Sequence, residues 1–267
     1  MAKANFRVIS CGDARIQAVE AYGGQTFARH THQQFGIGLV TRGAQKSFSG
    51  RGMVQACAGD LITVNPDEVH DGAPLDDAGR SWKILYLEPA LAGELLGEAG
   101  RTAAFEFSAP VLRDPRLTDA FARTYAAATS TLPAARLEAE QHLLPLLMQT
   151  LLRGRANGRS RVAAPTAIAQ AMMEDDPLAD WTLAELAHAC GMSRFQLVRS
   201  FSRNTGFTPH AFLLHQRILL ARRLIAGGVA LADAAAASGF ADQSHMTRVF
   251  TRKYGVAPGA FAISFKT

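Results

Sequence analysis

Cysteine is scarce in this chain and falls in no pattern. The three present, Cys11, Cys57 and Cys190, are scattered and odd in number. That excludes a disulfide framework and zinc-finger spacing, and it fits a reducing compartment. No apolar run reaches the length of a membrane helix, and the first residues lack the apolar core of a secretory signal, so a cytoplasmic location with no membrane partner is expected. No nucleophile–base arrangement or glycine-rich phosphate loop stands out. Acidic residues are slightly outnumbered: 28 Lys+Arg against 23 Asp+Glu leave +5, with a pI near 9.4. The excess is uneven. From Arg161 onward 11 basic residues face 7 acidic ones, net +4, whereas residues 1–160 carry 17 and 16, net +1. A basic C-terminal part fits phosphate contact, although a solvated charged surface would look the same. Hydrophobic residues at 48% suffice for packed cores, and 267 residues suggest two domains.

What the chain does have is a repeated pattern in its last third. Thr182 to Asn204 reads TLAELAHACGMSRFQLVRSFSRN, and Ala230 to Tyr254 reads ALADAAAASGFADQSHMTRVFTRKY. Each is a short apolar helix, a glycine turn and a second helix with arginine on one face, the form that places a helix end in a DNA major groove. In the first, Thr182 and Glu185 have capping-box spacing. Leu183, Leu186 and Ala187 mark one helix face, Gly191 suits the left-handed turn, and Ser193 caps the next helix. Leu197 and Phe201 should face inward, leaving Arg194, Phe195, Val198 and Arg199 toward DNA. In the second, Leu231, Ala234 and Ala235 mark the helix, Gly239 ends it, and Asp242 caps the reading helix. There Met246 and Phe250 point inward and Gln243, Ser244, Thr247 and Arg248 outward. Pro209 to Ile225 reads as a joining helix of ~25 Å, stopped by Gly227 and Gly228, long enough to set the reading helices about one DNA turn apart.

On these residues the chain resembles the AraC/XylS family of transcription regulators, strongly from about Thr182 to Phe261. The tail GFADQSHMTRVFTRKYGVAPGAFA carries the matching Gly239, Phe240, Ser244, Arg248, Phe250, Gly255 and Pro258. The resemblance implies operator DNA as partner, with Phe195, Val198, Arg199, Gln243, Ser244, Thr247 and Arg248 at base-contacting positions. Apolar Phe195 and Val198 favour thymine methyl groups.

The N-terminal part reads as strands with glycine turns: Phe35–Thr41, Ala44–Phe48, Leu61–Val64 and Ser81–Leu87, the last with Trp82, Ile84 and Tyr86 on one face and Leu85 and Leu87 on the other. Many short strands suggest a barrel or jelly roll. This half resembles a cupin sensor domain. His30-Thr31-His32 with Gly43 matches one motif and Gly59 with His70 another, but Gly36 and Ile37 stand where a glutamate is expected. Effector binding is expected at His30, His32, His70, Trp82 and Tyr86. The three histidines could instead hold a metal, giving a metal-sensing regulator or a metal-dependent cupin enzyme. The missing carboxylate argues against both, so neither metal, cofactor nor enzymatic activity is expected.

The expected fold is thus two-domain α+β. A cupin-like barrel covers 1–110 and a helical segment 111–153, with its stripe at Leu137, His142, Leu144, Leu147, Met148 and Leu151. A linker covers 154–164, and an all-α DNA-binding domain, opening with a helix at Pro165–Glu174, covers 165–267. The family resemblance implies a homodimer through the helices after the barrel, a small-molecule effector and contact with RNA polymerase.

Overall fold

Short strands dominate the N-terminal third of the computed structural model, which describes residues 5–50, 52–98, 105–132, 135–153 and 165–263. The chain divides into two compact units, 1–156 and 157–267. The expected linker, 154–164, lies outside the described residues.

The first unit runs β1 (Asn5–Ser10), β2 (Ile16–Gly23), β3 (Phe27–His30), β4 (Phe35–Arg42), β5 (Ala44–Ser49), β6 (Gly52–Cys57), β7 (Leu61–Val64), β8 (His70–Pro74) and β9 (Arg80–Leu87). It continues with α1 (Pro89–Glu98), β10 (Phe105–Phe107), β11 (Val111–Leu112), α2 (Pro115–Ala128), α3 (Ala135–Thr150) and β12 (Leu151–Arg153). A six-stranded sheet has the order β1-β2-β9-β4-β7-β11, and a four-stranded sheet the order β3-β8-β5-β6. The two-domain α+β architecture holds, but among the described residues the strands form separate sheets and do not close into a barrel. The turn after β4 needs Gly43, at φ +71°, because a Cβ there would run into the Gly79 carbonyl oxygen.

Alternation along the strands sends side chains to opposite faces. On the helix side of the six-stranded sheet, Ile16, Ala18, Phe35, Ile37, Leu85 and Leu87 pack with Leu91 and Leu96 of α1, Phe121 and Tyr125 of α2, and Leu143 and Leu147 of α3. On the other face β9 carries Arg80, Trp82, Ile84 and Tyr86, as its alternation predicts.

The segment expected to be helical, 111–153, begins and ends in strand. β11 pairs with β7, and β12 pairs with β10. The α3 stripe also differs. Leu143, Leu146 and Leu147 are buried, whereas Leu137 and Met148 are 71% and 46% exposed. Helix continues through Pro145.

The second unit is all helical: α4 (Ala167–Asp175), α5 (Leu183–Ala189), α6 (Arg194–Thr205), α7 (Pro209–Ala226), α8 (Leu231–Ala237), α9 (Gln243–Tyr254) and α10 (Pro258–Ile263). Its core is Leu186, Leu197, Phe201, Phe212, Ile218, Met246 and Phe250. Leu183, expected on the inward face, is 37% exposed, as it sits at the first residue of α5 before the helix meets its neighbours.

Candidate functional site

The α5–α6 and α8–α9 pairs each fold around a glycine turn. Thr182 Oγ1 accepts from the Glu185 amide while the Glu185 carboxylate accepts from the Thr182 amide, so the capping box is complete. The Thr182 hydroxyl also donates to the Glu185 carboxylate at 2.7 Å, and this bond first, then that from the Thr182 amide, holds the Glu185 carboxyl below its usual range. Gly191 follows at φ +63°. Ser193 and Gln196 build a second capping box at the start of α6. At α9 the Asp242 carboxylate accepts from the His245 amide at 2.6 Å. Gly206 and Gly255, both left-handed, terminate the two 12-residue helices.

These caps fix which faces are buried. Leu197 and Phe201 are fully buried in α6, and Met246 and Phe250 in α9. Arg194, Phe195 and Arg199 are exposed, with Phe195 at 73%, and Val198 is half-buried. Gln243, Ser244 and Arg248 are exposed and Thr247 half-buried. Each group lies in the first two turns of its helix, and the free amides and dipole of the first turn favour phosphate. The joining helix α7 has 18 residues, about 27 Å at 1.5 Å rise.

Arg217, on α7, ties the two helix-turn-helix pairs of the second unit together. Its guanidinium donates to the carbonyls of Pro177 at 2.8 Å, Gly239 at 2.9 Å, Ala179 at 3.2 Å and Leu178 at 3.4 Å. The first, third and fourth precede α5, and Gly239 is the turn between α8 and α9. A Cβ at Gly239, whose φ is +75°, would lie 3.0 Å from Arg217 Nε. Deeper in the unit, Lys253 Nζ lies 3.3 Å from His215 Nδ1, and burial pushes its pKa down to about 7.

In the first unit, β3 pairs with β8 so that His30 stands opposite His70. The ring centroids of His30, His32 and His70 are 4.3–5.0 Å apart, and one ring nitrogen of each lies within 4.8 Å of the others. His30 Nδ1 is 2.7 Å from the Ala28 carbonyl, and His70 Nδ1 is 2.9 Å from that of Glu68. A carbonyl only accepts, so Nδ1 carries a proton in both rings, and Nε2 offers a lone pair whenever the ring is neutral. Burial lowers the His70 pKa, with the Glu68 carbonyl opposing it. Tyr86 joins the cluster, its hydroxyl 3.3 Å from His32 Nε2. Gly36, standing near the position where a glutamate was expected, faces Tyr86: a Cβ there would meet the ring at 3.2 Å.

Trp82 is not brought to the histidines. It packs edge-on against Phe27 and under the Arg80 guanidinium, 4.7 Å from the ring centre. Arg80 carried no sequence signal, yet it is 1% exposed, donates to Gln45 Oε1 and the Gln25 carbonyl, and has its pKa pushed down to about 10 by burial.

A β-rich unit carrying a polar cluster, followed by two helix-turn-helix pairs, defines the class of DNA-binding regulators with a ligand-binding domain. The model of the AraC-like ligand-binding domain matches residues 18–147, and that of a helix-turn-helix domain matches 186–262. The chain belongs to the AraC family of transcription regulators. It is 27% identical over 228 residues to the HTH-type transcriptional regulator YbfI of Bacillus subtilis, covering 83% of this chain and 82% of that one. It is 33% identical over 88 residues to the HTH-type transcriptional regulator MtrA of Neisseria gonorrhoeae, a match spanning 33% of this chain and 29% of MtrA. In fold it is similar to ToxT of Vibrio cholerae bound to an unsaturated fatty acid, with a TM-score of 0.54 at 15% identity over 99% of this chain and 98% of ToxT. No described helix is long and apolar enough to cross a membrane.

Proposed function

We propose that this chain is a cytoplasmic, effector-responsive regulator that reads operator DNA with α6 and α9. The observation that carries the reading is the exposure of Arg194, Phe195, Arg199, Gln243, Ser244 and Arg248 at the capped starts of the two helices. Val198 and Thr247 complete the two reading faces. DNA binding is assigned to 165–267, effector binding to 1–110 and dimer formation to the helices within 111–153, with 154–164 as linker. RNA polymerase is the partner through which such a regulator acts. Arg248→Ala is expected to weaken operator binding by about 1–3 kcal/mol with unchanged circular dichroism. Operator affinity equal to the parent in a fluorescence-anisotropy titration would refute this register for α9.

The effector is a small organic molecule held beside His30, His32, His70 and Tyr86, with Trp82 further along the same strand face; ToxT, of similar fold, binds a fatty acid. Its binding shifts operator affinity only as far as it distinguishes two states of the chain. A second reading rests on the convergence of the three histidine nitrogens within 4.8 Å: a transition-metal ion as effector. Combining His30→Ala with His70→Ala should abolish the effector response and spare DNA binding. We expect metal well below one equivalent in the purified protein. Stoichiometric zinc, iron or nickel that disappears in the double variant would establish the metal reading, and an unchanged response with no metal would remove these histidines from the sensor.

A further inference from the structure

The histidine cluster occupies one face of the six-stranded sheet; a second site lies on the other. Lys83 alternates with Trp82 along β9 and so projects to the helix side. Register sets Arg7 opposite Glu20, Glu20 opposite Lys83, and Lys83 opposite Leu39, a cross-strand row over β1, β2, β9 and β4. Where α2 passes over this row, it leaves a cavity of about 490 Å³. Its polar edge is Arg7, Glu20 and Lys83, and its accessible apolar wall comes from Ile9, Leu39, Ala122 and Ala126, with the buried rings of Phe121 and Tyr125 behind them. The size suits a small organic ligand.

The charges at that edge do not balance. Glu20 is shared: Arg7 Nη2 lies 3.3 Å from one carboxylate oxygen and Lys83 Nζ 3.3 Å from the other. Two cations therefore meet one anion. Lys83 Nζ also lies 5.0 Å from the centre of the Tyr125 ring, which brings it to the mouth of the apolar wall. Burial raises the Tyr125 phenol well above its ordinary range, so that wall stays uncharged at neutral pH. Both cations are substantially exposed, Arg7 at 66% and Lys83 at 44%, and can turn to an incoming group.

We propose that this cavity binds a small apolar monocarboxylate, its carboxylate between Arg7 and Lys83 and its hydrocarbon body against Ile9, Leu39, Ala122 and Ala126. A guanidinium and an ammonium bind a carboxylate by charge-assisted hydrogen bonds. A neutral alcohol of the same body gains only the apolar contacts, and an amine meets the excess positive charge. A dianion meets Glu20. The site is separate from the histidine cluster and stands whether or not that cluster senses an effector.

Isothermal titration of the full chain with octanoate, octanol and octylamine tests it. Octanoate should bind at one site per chain, at least tenfold tighter than octanol, with no heat from octylamine. Lys83→Met should weaken octanoate at least tenfold. Glu20→Gln removes the competing carboxylate and should tighten it severalfold. Ala126 is exposed on the α2 wall, so Ala126→Phe should block the cavity without touching charge or core, and it decides the matter if Lys83→Met fails to fold. Absence of octanoate binding, equal affinity for octanol and octanoate, or octanoate binding unchanged by Ala126→Phe would each overturn the proposal. Binding lost in the His30→Ala/His70→Ala chain but kept in Lys83→Met would also overturn it, since the ligand would then lie on the other face.

Discussion

Arg217→Met should destabilise the DNA-binding unit by about 3–5 kcal/mol, since the lost bonds are several and charge-assisted, each worth roughly 1.5–3 kcal/mol, and their contributions are not additive. The methionine side chain fills similar space but donates nothing, so four carbonyls from Pro177, Leu178, Ala179 and Gly239 lose their shared donor. Arg217→Lys should recover only part, because an ammonium has a single nitrogen where the guanidinium's planar fork reaches acceptors on both sides. Urea unfolding followed by far-ultraviolet circular dichroism measures the loss. A midpoint within error of the parent for Arg217→Met would show that the carbonyls are satisfied by water and that the link between the two helix-turn-helix units carries little energy.

Arg217 also shows where sequence reading stops. Its residue type matches that of Arg199 and Arg248, which lie exposed on α6 and α9. Only the fold reveals that one arginine bonds backbone on both sides of α7. The DNA-binding unit was otherwise legible because its signals are local: Thr182 and Glu185 three apart, Ser193 and Asp242 ahead of their helices, glycine at the turns, and inward pairs four apart. Leu183 was misread because periodicity does not tell where packing begins.

The first unit was less legible because strand pairing is not local. Ser81–Leu87 announced its two faces by alternation, and the structure keeps them. β12 did not announce itself, since Leu151–Arg153 continues an apolar helical pattern and becomes strand only by meeting Phe105–Phe107. In α3 the richest apolar stripe by spacing included Leu137 and Met148, but the sheet and α2 select the face of Leu143, Leu146 and Leu147. The meeting of His30 with His70 was anticipated through motif resemblance. Separation of Trp82 from them follows from distance along β9, four residues or about 13 Å from Tyr86. The row of Arg7, Glu20 and Lys83 had no signal at all, because it exists only in the register of three strands.

Phe250→Ala is expected to cost about 3–5 kcal/mol, the range for removing a large buried side chain and leaving a cavity. Phe250 has no exposure, and its ring packs against Tyr254 at 4.7 Å and Phe261 at 5.3 Å between centres. Phe261 comes from α10, so the loss also loosens the hold of that helix on α9. Arg248, two residues earlier and exposed, shares the helix but not the core. The two substitutions should therefore separate cleanly: Phe250→Ala lowers the unfolding midpoint and carries operator affinity down with it, whereas Arg248→Ala leaves the midpoint in place and weakens affinity alone. Thermal unfolding and operator titration on both variants check the pair. If Arg248→Ala lost as much stability as Phe250→Ala, the outward face of α9 would have to be drawn elsewhere.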